Sequence, residues 1–240
     1  MRELVERFEL AFNQIHQRLK EMHSFPKNDN FVELLNRSQD RSVVKEHFDT
    51  LRQYAKLRNA MVHERVREDF YIATPHIEVV EELEVINQTL DQPPLALDIA
   101  TKPVMFFYEE SPLLDVMDAF RKHEVSQFPI YDGVGGEFIG LLTDTVIVHW
   151  MSLQLKEGVI DVTDVKVSNL LKNKAEYNVK FMPEDATVFG VEDIYEHSHV
   201  EGRKLKSVII TNDGKHGSSP LGIITAWDLI KVNAEDPVDE

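Results

Sequence analysis

The chain is 240 residues long, 42% hydrophobic and 28% charged, with 26 basic against 42 acidic side chains and a formal net charge of −16. Such an acidic surface repels nucleic acid at long range, which argues against a general nucleic-acid-binding role. With no cysteine, disulfides, thiolate metal sites and cysteine nucleophiles are excluded, and no apolar run approaches the roughly 20 residues of a membrane span.

Met1-Arg2-Glu3-Leu4 does not open a secretory signal, so a cytoplasmic protein is expected. Residues 1–100 carry 13 basic and 18 acidic side chains, and residues 101–240 carry 13 and 24. A small anionic ligand held by local amides and one or two cations is compatible with that balance.

The first ninety residues read as helices. Leu4, Phe8, Phe12 (or Ala11), Ile15 and Leu19 recur at three- and four-residue steps and make one apolar stripe. The turn formers of Ser24-Phe25-Pro26-Lys27-Asn28-Asp29 interrupt it. A second helical stretch runs from Ser42, read as an N-cap, through Val44, Phe48, Leu51, Ala55 and Val62. A third follows Thr74-Pro75, with Val79, Val80, Leu83 and Ile86 apolar. Asp91-Gln92-Pro93-Pro94 stops helix formation and marks a domain boundary.

Beyond that boundary short strands alternate with helices, and the pattern occurs twice. Ser111-Pro112-Leu113-Leu114-Asp115-Val116 parallels Ala186-Thr187-Val188-Phe189-Gly190-Val191. Gln127-Phe128-Pro129-Ile130-Tyr131 before Asp132-Gly133 is matched by Ser207-Val208-Ile209-Ile210-Thr211 before Asn212-Asp213-Gly214. Phe138-Ile139-Gly140-Leu141-Leu142-Thr143 is echoed by Leu221-Gly222-Ile223-Ile224-Thr225. Three elements in the same order define a duplicated unit, each copy reading strand–helix–strand–strand–helix. The second copy has longer connections, over 197–204 and 212–220. One face of each short sheet is left for its twin.

Gly222-Ile223-Ile224-Thr225-Ala226-Trp227-Asp228 admits two readings. Thr225 is a helix N-cap and Asp228 completes a capping box. Equally, a helix N-terminus and a hydroxyl suit a phosphate, and the carboxylate accepts from a ribose diol. The candidates for neutralising a phosphate here are Lys180 and Arg203. His197, Ser198, His199 and His216 read as loop residues without the carboxylates that would complete a metal site, so no metal is expected.

The duplicated unit, over about residues 96–233, resembles a pair of cystathionine-β-synthase-type (CBS) domains. The resemblance implies an α+β protein: an all-α domain over 1–92, CBS units over 93–165 and 166–233, and an acidic, disordered tail over 234–240. It further implies an adenine nucleotide as regulatory ligand (AMP, ADP, ATP or cyclic di-AMP). Thr225 would contact phosphate and Asp228 the ribose. Lys180-Phe181 and Ser207-Val208-Ile209 would wall the adenine. The first copy keeps Thr143 but has Val146 at the Asp position, which predicts one ribose site per chain. The family's pairing of modules implies a homodimer.

Arg58-Asn59-Ala60-Met61-Val62-His63 resembles, in turn, the R-[polar]-x-x-x-H signature of HEPN domains, all-α dimeric units that include ribonucleases. The resemblance implies His63 as general acid or base, Arg58 stabilising charge on the phosphate, and Asn59 orienting His63. Arg52, Lys56, Arg65 and Arg67 add local positive charge. Three functions stand at this point: a nucleotide sensor coupled to a helical dimer, a metal-independent endoribonuclease gated by nucleotide, and a non-binding dimerisation scaffold.

Overall fold

The computed structural model describes residues 2–63, 73–123, 125–155, 158–171, 179–200 and 204–234, with the backbone alone at 62, 63, 200 and 232–234. The expectations that rest on Arg65, Arg67, Arg203 and the tail beyond residue 234 therefore lie outside the described residues, as does the side chain of His63. The chain falls into two compact units. One comprises residues 1–94 with 187–193, the other 95–186 with 194–240.

The first unit is built on helices α1 (Arg2–Met22), α2 (Phe31–Arg37), α3 (Ser42–Lys45), α4 (Phe48–His63) and α5 (Ile77–Asp91). The stripe on α1 is buried as its periodicity requires: Val5, Phe8, Ala11, Phe12, Ile15 and Leu19 all lie in the core. They meet Leu34 and Leu35 of α2, Leu51 and Ala55 of α4, and Val80, Leu83 and Ile86 of α5. Each large side chain so buried contributes about 1.5–3 kcal/mol of transfer free energy, opposed by the entropy of ordering the helices. Arg7 adds a clasp between α1 and α5, donating from Nε (2.9 Å) and a terminal nitrogen (2.7 Å) to the two oxygens of Glu84.

Three expectations change here. Helix α2 went unread in the sequence, yet Asn30 caps it, its side chain accepting from Glu33 N at 3.2 Å. Asn-x-x-Glu before an apolar run is a start signal, obscured by the turn formers just upstream. The stretch from Ser42 is two helices, and Ser42 is the first residue of α3, after the N-cap Arg41. The last long helix begins at Ile77 with His76 as N-cap, so Pro75 precedes the helix and does not occupy its first turn.

In the second unit a short helix, α6 (Ala96–Ile99), leads into β1 (Phe107–Tyr108), α7 (Leu113–His123), β2 (Gln127–Tyr131), β3 (Phe138–Thr143) and α8 (Asp144–Gln154). A 3₁₀ turn over Val167–Asn169 then precedes β4 (Val179–Met182), α9 (Val188–Val200, whose first residues, to 193, group with the first unit), β5 (Ser207–Thr211), β6 (Pro220–Ile224) and α10 (Ala226–Ala234). Each copy thus has a three-stranded sheet in chain order, the first pair parallel and the second antiparallel. Even the irregularity repeats, since the antiparallel register shifts between Ile130 and Tyr131 and again between Ile210 and Thr211. His197 and His199, expected in a loop, lie in the last turn of α9.

The segments that precede the two copies are exchanged. Ala96 N donates to Ala186 O (2.8 Å) and Val188 N to Pro94 O (2.9 Å). In the same pattern Leu113 N donates to Val165 O (2.8 Å) and Val167 N to Ser111 O (3.0 Å). Each copy is therefore closed by the lead-in segment of the other. Helix α6 lies so close to β6 that a Cβ on Gly222 would fall 2.7 Å from Ala100 Cβ and 3.0 Å from Leu97 Cδ2. The two sheets meet through Leu141, Ile209 and Ile223, with Val104, Phe138, Val179 and Phe181 around them.

Gly222→Ala should therefore lower stability by about 1–3 kcal/mol through overpacking. Gly133→Ala, where an added Cβ meets nothing within 4 Å, should be neutral; urea denaturation of both variants checks this. The hydrogen bonds and charge of Arg7 hold Glu84 below the ordinary carboxylate range, so the clasp is present above that range and is lost as pH falls through the lowered value. Glu84→Gln should cost no more than about 1 kcal/mol at pH 7, the scale of a solvent-screened pair. That difference from wild type should shrink progressively in unfolding curves taken as the pH falls below the ordinary carboxylate range.

Candidate functional site

Strand alternation sorts the expected site residues onto two faces. Phe181 pairs with Ile209 and Val179 with Ser207, and Ile209, Val179 and Phe181 belong to the core between the sheets. Ser207, two residues from Ile209, shares its face. Lys180 pairs with Val208, one residue out of phase, so the fold sets both on the opposite face; Lys180 is exposed and Val208 buried. Phe181, Ile209 and Ser207 are thus brought together, whereas Lys180 and Val208 are not among them.

Ser207 and Gln127 each open the central strand of their copy, and each carries a buried polar atom without a partner among the described residues: Ser207 Oγ and Gln127 Nε2. Gln127 pairs with Thr143, and Ser207 stands one step before the Val208–Ile224 pair, opposite Thr225. Both copies therefore place an unpaired polar side chain beside the threonine that starts the following helix. Leaving a buried donor or acceptor unmade costs about 1–3 kcal/mol, and the cost recurs at the same position.

A cavity of about 270 Å³ opens at this point of the first copy, lined by Thr101, Val104, Met105, Gln127, Pro129 and Ile223 among others. Its walls are largely apolar, and the Gln127 amide is a buried donor at its edge. Its far wall belongs to the second copy, because Thr101 and Ile223 exchange backbone hydrogen bonds of 3.0 and 3.3 Å. Residues 172–178, ahead of β4 in the second copy, lie outside the described residues.

The two threonines differ. Thr143 is a plain N-cap, its hydroxyl accepting from Val146 N at 3.2 Å, while Asp144 is spent on Thr145 N at 2.6 Å. At the second copy Asp228 Oδ2 accepts from both Thr225 N and Thr225 Oγ1, each at 2.7 Å. Asp228 thus completes the helix start and keeps Oδ1 as a second acceptor. Sequence reasoning missed Tyr195, whose hydroxyl donates to Ile224 O at 3.1 Å. Burial raises its pKa, and the charge of Asp228 adds to the shift. Tyr195 thereby pins the end of β6 just before Thr225. The first copy offers Phe120 at the equivalent position, so the tyrosine could have been found by aligning the two helices.

In the helical unit, Arg58 and Asn59 of α4 line a separate small cavity. Among the described residues no group of three histidines or carboxylates could hold a metal, and no helix is long and apolar enough to cross a membrane.

Residues 96–153 match the family model described as "CBS domain"; no curated protein matches the chain. Among solved structures, it is similar to the CBS domain of the bacterial CNNM/CorC family Mg2+ transporter, at 18% identity over 66% of this chain and 87% of that one, with TM-score 0.44. It is also similar to the CBS domain pair of protein MJ0100 in complex with 5′-methylthioadenosine and S-adenosyl-L-methionine, at 17% identity over 60% and 98%, with TM-score 0.43. A third is a putative signal-transduction protein with CBS domains from Burkholderia ambifaria MC40-6, at 13% identity over 61% and 98%, with TM-score 0.43. Residues 96–153 thus carry the family match to a CBS domain, the second copy repeats its β-α-β-β-α order, and a helical region precedes both.

Proposed function

We propose that the CBS pair is a regulatory sensor that takes an adenine-bearing ligand between its two sheets. The observation that carries this reading is the apolar cavity beside Gln127, whose buried amide nitrogen has no partner among the described residues. A purine supplies what such a cavity lacks: a flat apolar body for Val104, Met105 and Pro129, and ring nitrogens that accept from Gln127 Nε2. Its volume lies just under the lower end of small-molecule sites, roughly 300–1,000 Å³. That size favours a mononucleoside ligand such as AMP, ADP or ATP over a dinucleotide such as cyclic di-AMP.

The second copy contributes the polar half of the chemistry. Thr225, Asp228 and Ser207 converge there, and Asp228 Oδ1 is placed to accept from a ribose diol. Val146 at the matching position of the first copy has no such capacity, so in our reading a ribose is held at the second copy, by Thr225 and Asp228, and the cavity beside Gln127 at the first copy engages a base without a ribose carboxylate. Lys180, exposed on the other face, takes no part. A ligand that touches both copies controls their spacing, provided it binds one arrangement better than the other. The lead-in segment at Pro93-Pro94 joins that arrangement to the helical region.

A homodimer fits the surface. Val148 on α8, with Trp227 and Ile230 on α10, are each more than half exposed, and large apolar side chains of this kind at the last helix of both copies fit an isologous contact.

In a thermal-shift panel of AMP, ADP, ATP, S-adenosylmethionine, 5′-methylthioadenosine and cyclic di-AMP, one ligand at 100 times its Kd should stabilise by about 2.7 kcal/mol, a rise of a few degrees. Gln127→Leu should weaken binding at the first copy roughly tenfold. Asp228→Ala should cost about 1 kcal/mol through its lost cap and also remove ligand stabilisation at the second copy. Silence across the panel in wild type would end the sensor reading. Replacing Trp227 and Ile230 together by Glu should convert the dimer to monomer in sedimentation equilibrium, and an unchanged mass would refute the α10 interface.

A further inference from the structure

Helix α3 has four residues and starts without a local cap, since the side chain of its N-cap residue, Arg41, makes no hydrogen bond there. The cap comes from far along the chain. Asp193 Oδ1 accepts from Ser42 N at 3.0 Å and from Ser42 Oγ at 2.7 Å, and both bonds are partly buried. A carboxylate in this place satisfies one of the orphan N–H groups of a helix start. Its charge makes such bonds roughly twice as strong as neutral ones. On its own a helix shorter than about 12 residues is marginal in water, so α3 depends on this tie and on the burial of Val44.

Asp193 lies in α9, and α9 is divided. Its residues up to 193 group with the helical unit and those from 194 with the second unit. No other helix or strand among the described residues is split in this way. Within the first unit the start of α9 is tied twice, by Val188 N donating to Pro94 O at 2.9 Å and by the bonds from Ser42 to Asp193. Within the second unit the Tyr195 hydroxyl donates to Ile224 O at 3.1 Å, directly before Thr225 and its bonds to Asp228. Asp193 and Tyr195 are two residues apart, about 3 Å along a helix axis. Over that span a helix is stiff, so a shift of Tyr195 is passed to Asp193.

We infer that α9 couples the ligand site of the second copy to α3, with the Asp193–Ser42 bonds as the element that is made or broken. The inference rests on the sensor reading of Thr225 and Asp228. A ligand that engages Asp228 acts on the start of α10 and on the end of β6, which Tyr195 holds, and α9 carries the change to Ser42. The effect is reciprocal: a ligand that alters the stability of the Ser42 bonds has its own affinity altered by them in the same measure. A cap that served α3 alone would need only Ser, Asp or Asn at position 41. The chain instead places Arg41 there and takes the cap from the one helix that is shared between the two units.

The test is amide hydrogen exchange of the full chain by NMR, read at Ser42, with Asp193→Ala setting the rate for a broken cap. Tyr195→Phe removes only the hydroxyl that holds Ile224. It should speed exchange at Ser42 by about threefold or more and leave the amides in the middle of α1 unchanged, whereas Gly133→Ala should change neither. Unaltered Ser42 exchange in Tyr195→Phe overturns the coupling, whether or not a nucleotide binds. Should Tyr195→Phe fail to fold, Asp228→Asn is read at the same amide with the same criterion. AMP is the ligand probe. Its Kd by calorimetry should differ by about fivefold or more between wild type and Asp193→Ala, and saturating AMP should change Ser42 exchange in wild type. An equal Kd in the two proteins overturns the inference. No binding of AMP to wild type counts against the sensor reading, and the Tyr195→Phe result then decides the mechanical coupling by itself.

Discussion

A three-stranded sheet with helices on one side has a second face that cannot be left in water, and the design of the second unit follows from that constraint. Leu141, Ile209 and Ile223 are buried where the two sheets meet, so neither copy completes its core alone. Duplication is thus a packing requirement before it is a functional device. The exchange of lead-in segments reinforces it, because residues 94–96 close the second copy and residues 165–167 close the first. Gly222 shows how tightly that closure is drawn, since no side chain fits between β6 and the segment 97–100.

The same arrangement creates the cleft. Where the apolar contact between sheets runs out, the first residue of each central strand is left beside open space, and in both copies that residue is polar with an unpaired atom. A solely structural pair would place an aliphatic residue at both positions, as at the neighbouring Pro129 and Ile209. The copies then diverge at the helix that follows. The first spends Thr143 and Asp144 on local caps, whereas the second builds Thr225, Asp228 and Tyr195 into one connected group. Asp228 holds its helix start through one oxygen, and in the sensor we propose its other oxygen accepts from the ribose.

Much of this was legible in the chain. The 3.6-residue stripe of α1, the breaker at Pro93-Pro94 and the three repeated elements lie close to their expected places, because each depends on contacts short in sequence. Helix α2 was hidden because seven residues give too little periodicity to outweigh the turn formers before Asn30. The exchange of lead-in segments was hidden for another reason: Leu95-Ala96-Leu97-Asp98-Ile99 and Lys166-Val167-Ser168-Asn169-Leu170 share a role but little identity. Lys180 is a candidate phosphate ligand by its charge, yet strand alternation turns it away from the face that Phe181 and Ser207 share.

By itself the sequence determined the duplicated β-α-β-β-α unit, the helical region before it and the loss of the acidic position at Val146. These follow from residue type and spacing along one strand or helix, which are local properties. Only the tertiary structure decided that Gln127 Nε2 and Ser207 Oγ lack partners among the described residues, that Tyr195 braces the strand before Thr225, and that Arg58 stands over Phe12 in a cavity whose lining carboxylate, Asp29, is paired with Lys20. Those facts depend on which groups from distant segments come within about 3 Å of each other for a hydrogen bond, or about 6 Å for a cation over a ring. Such distances are set by the packing of whole elements, and no spacing along the chain encodes them.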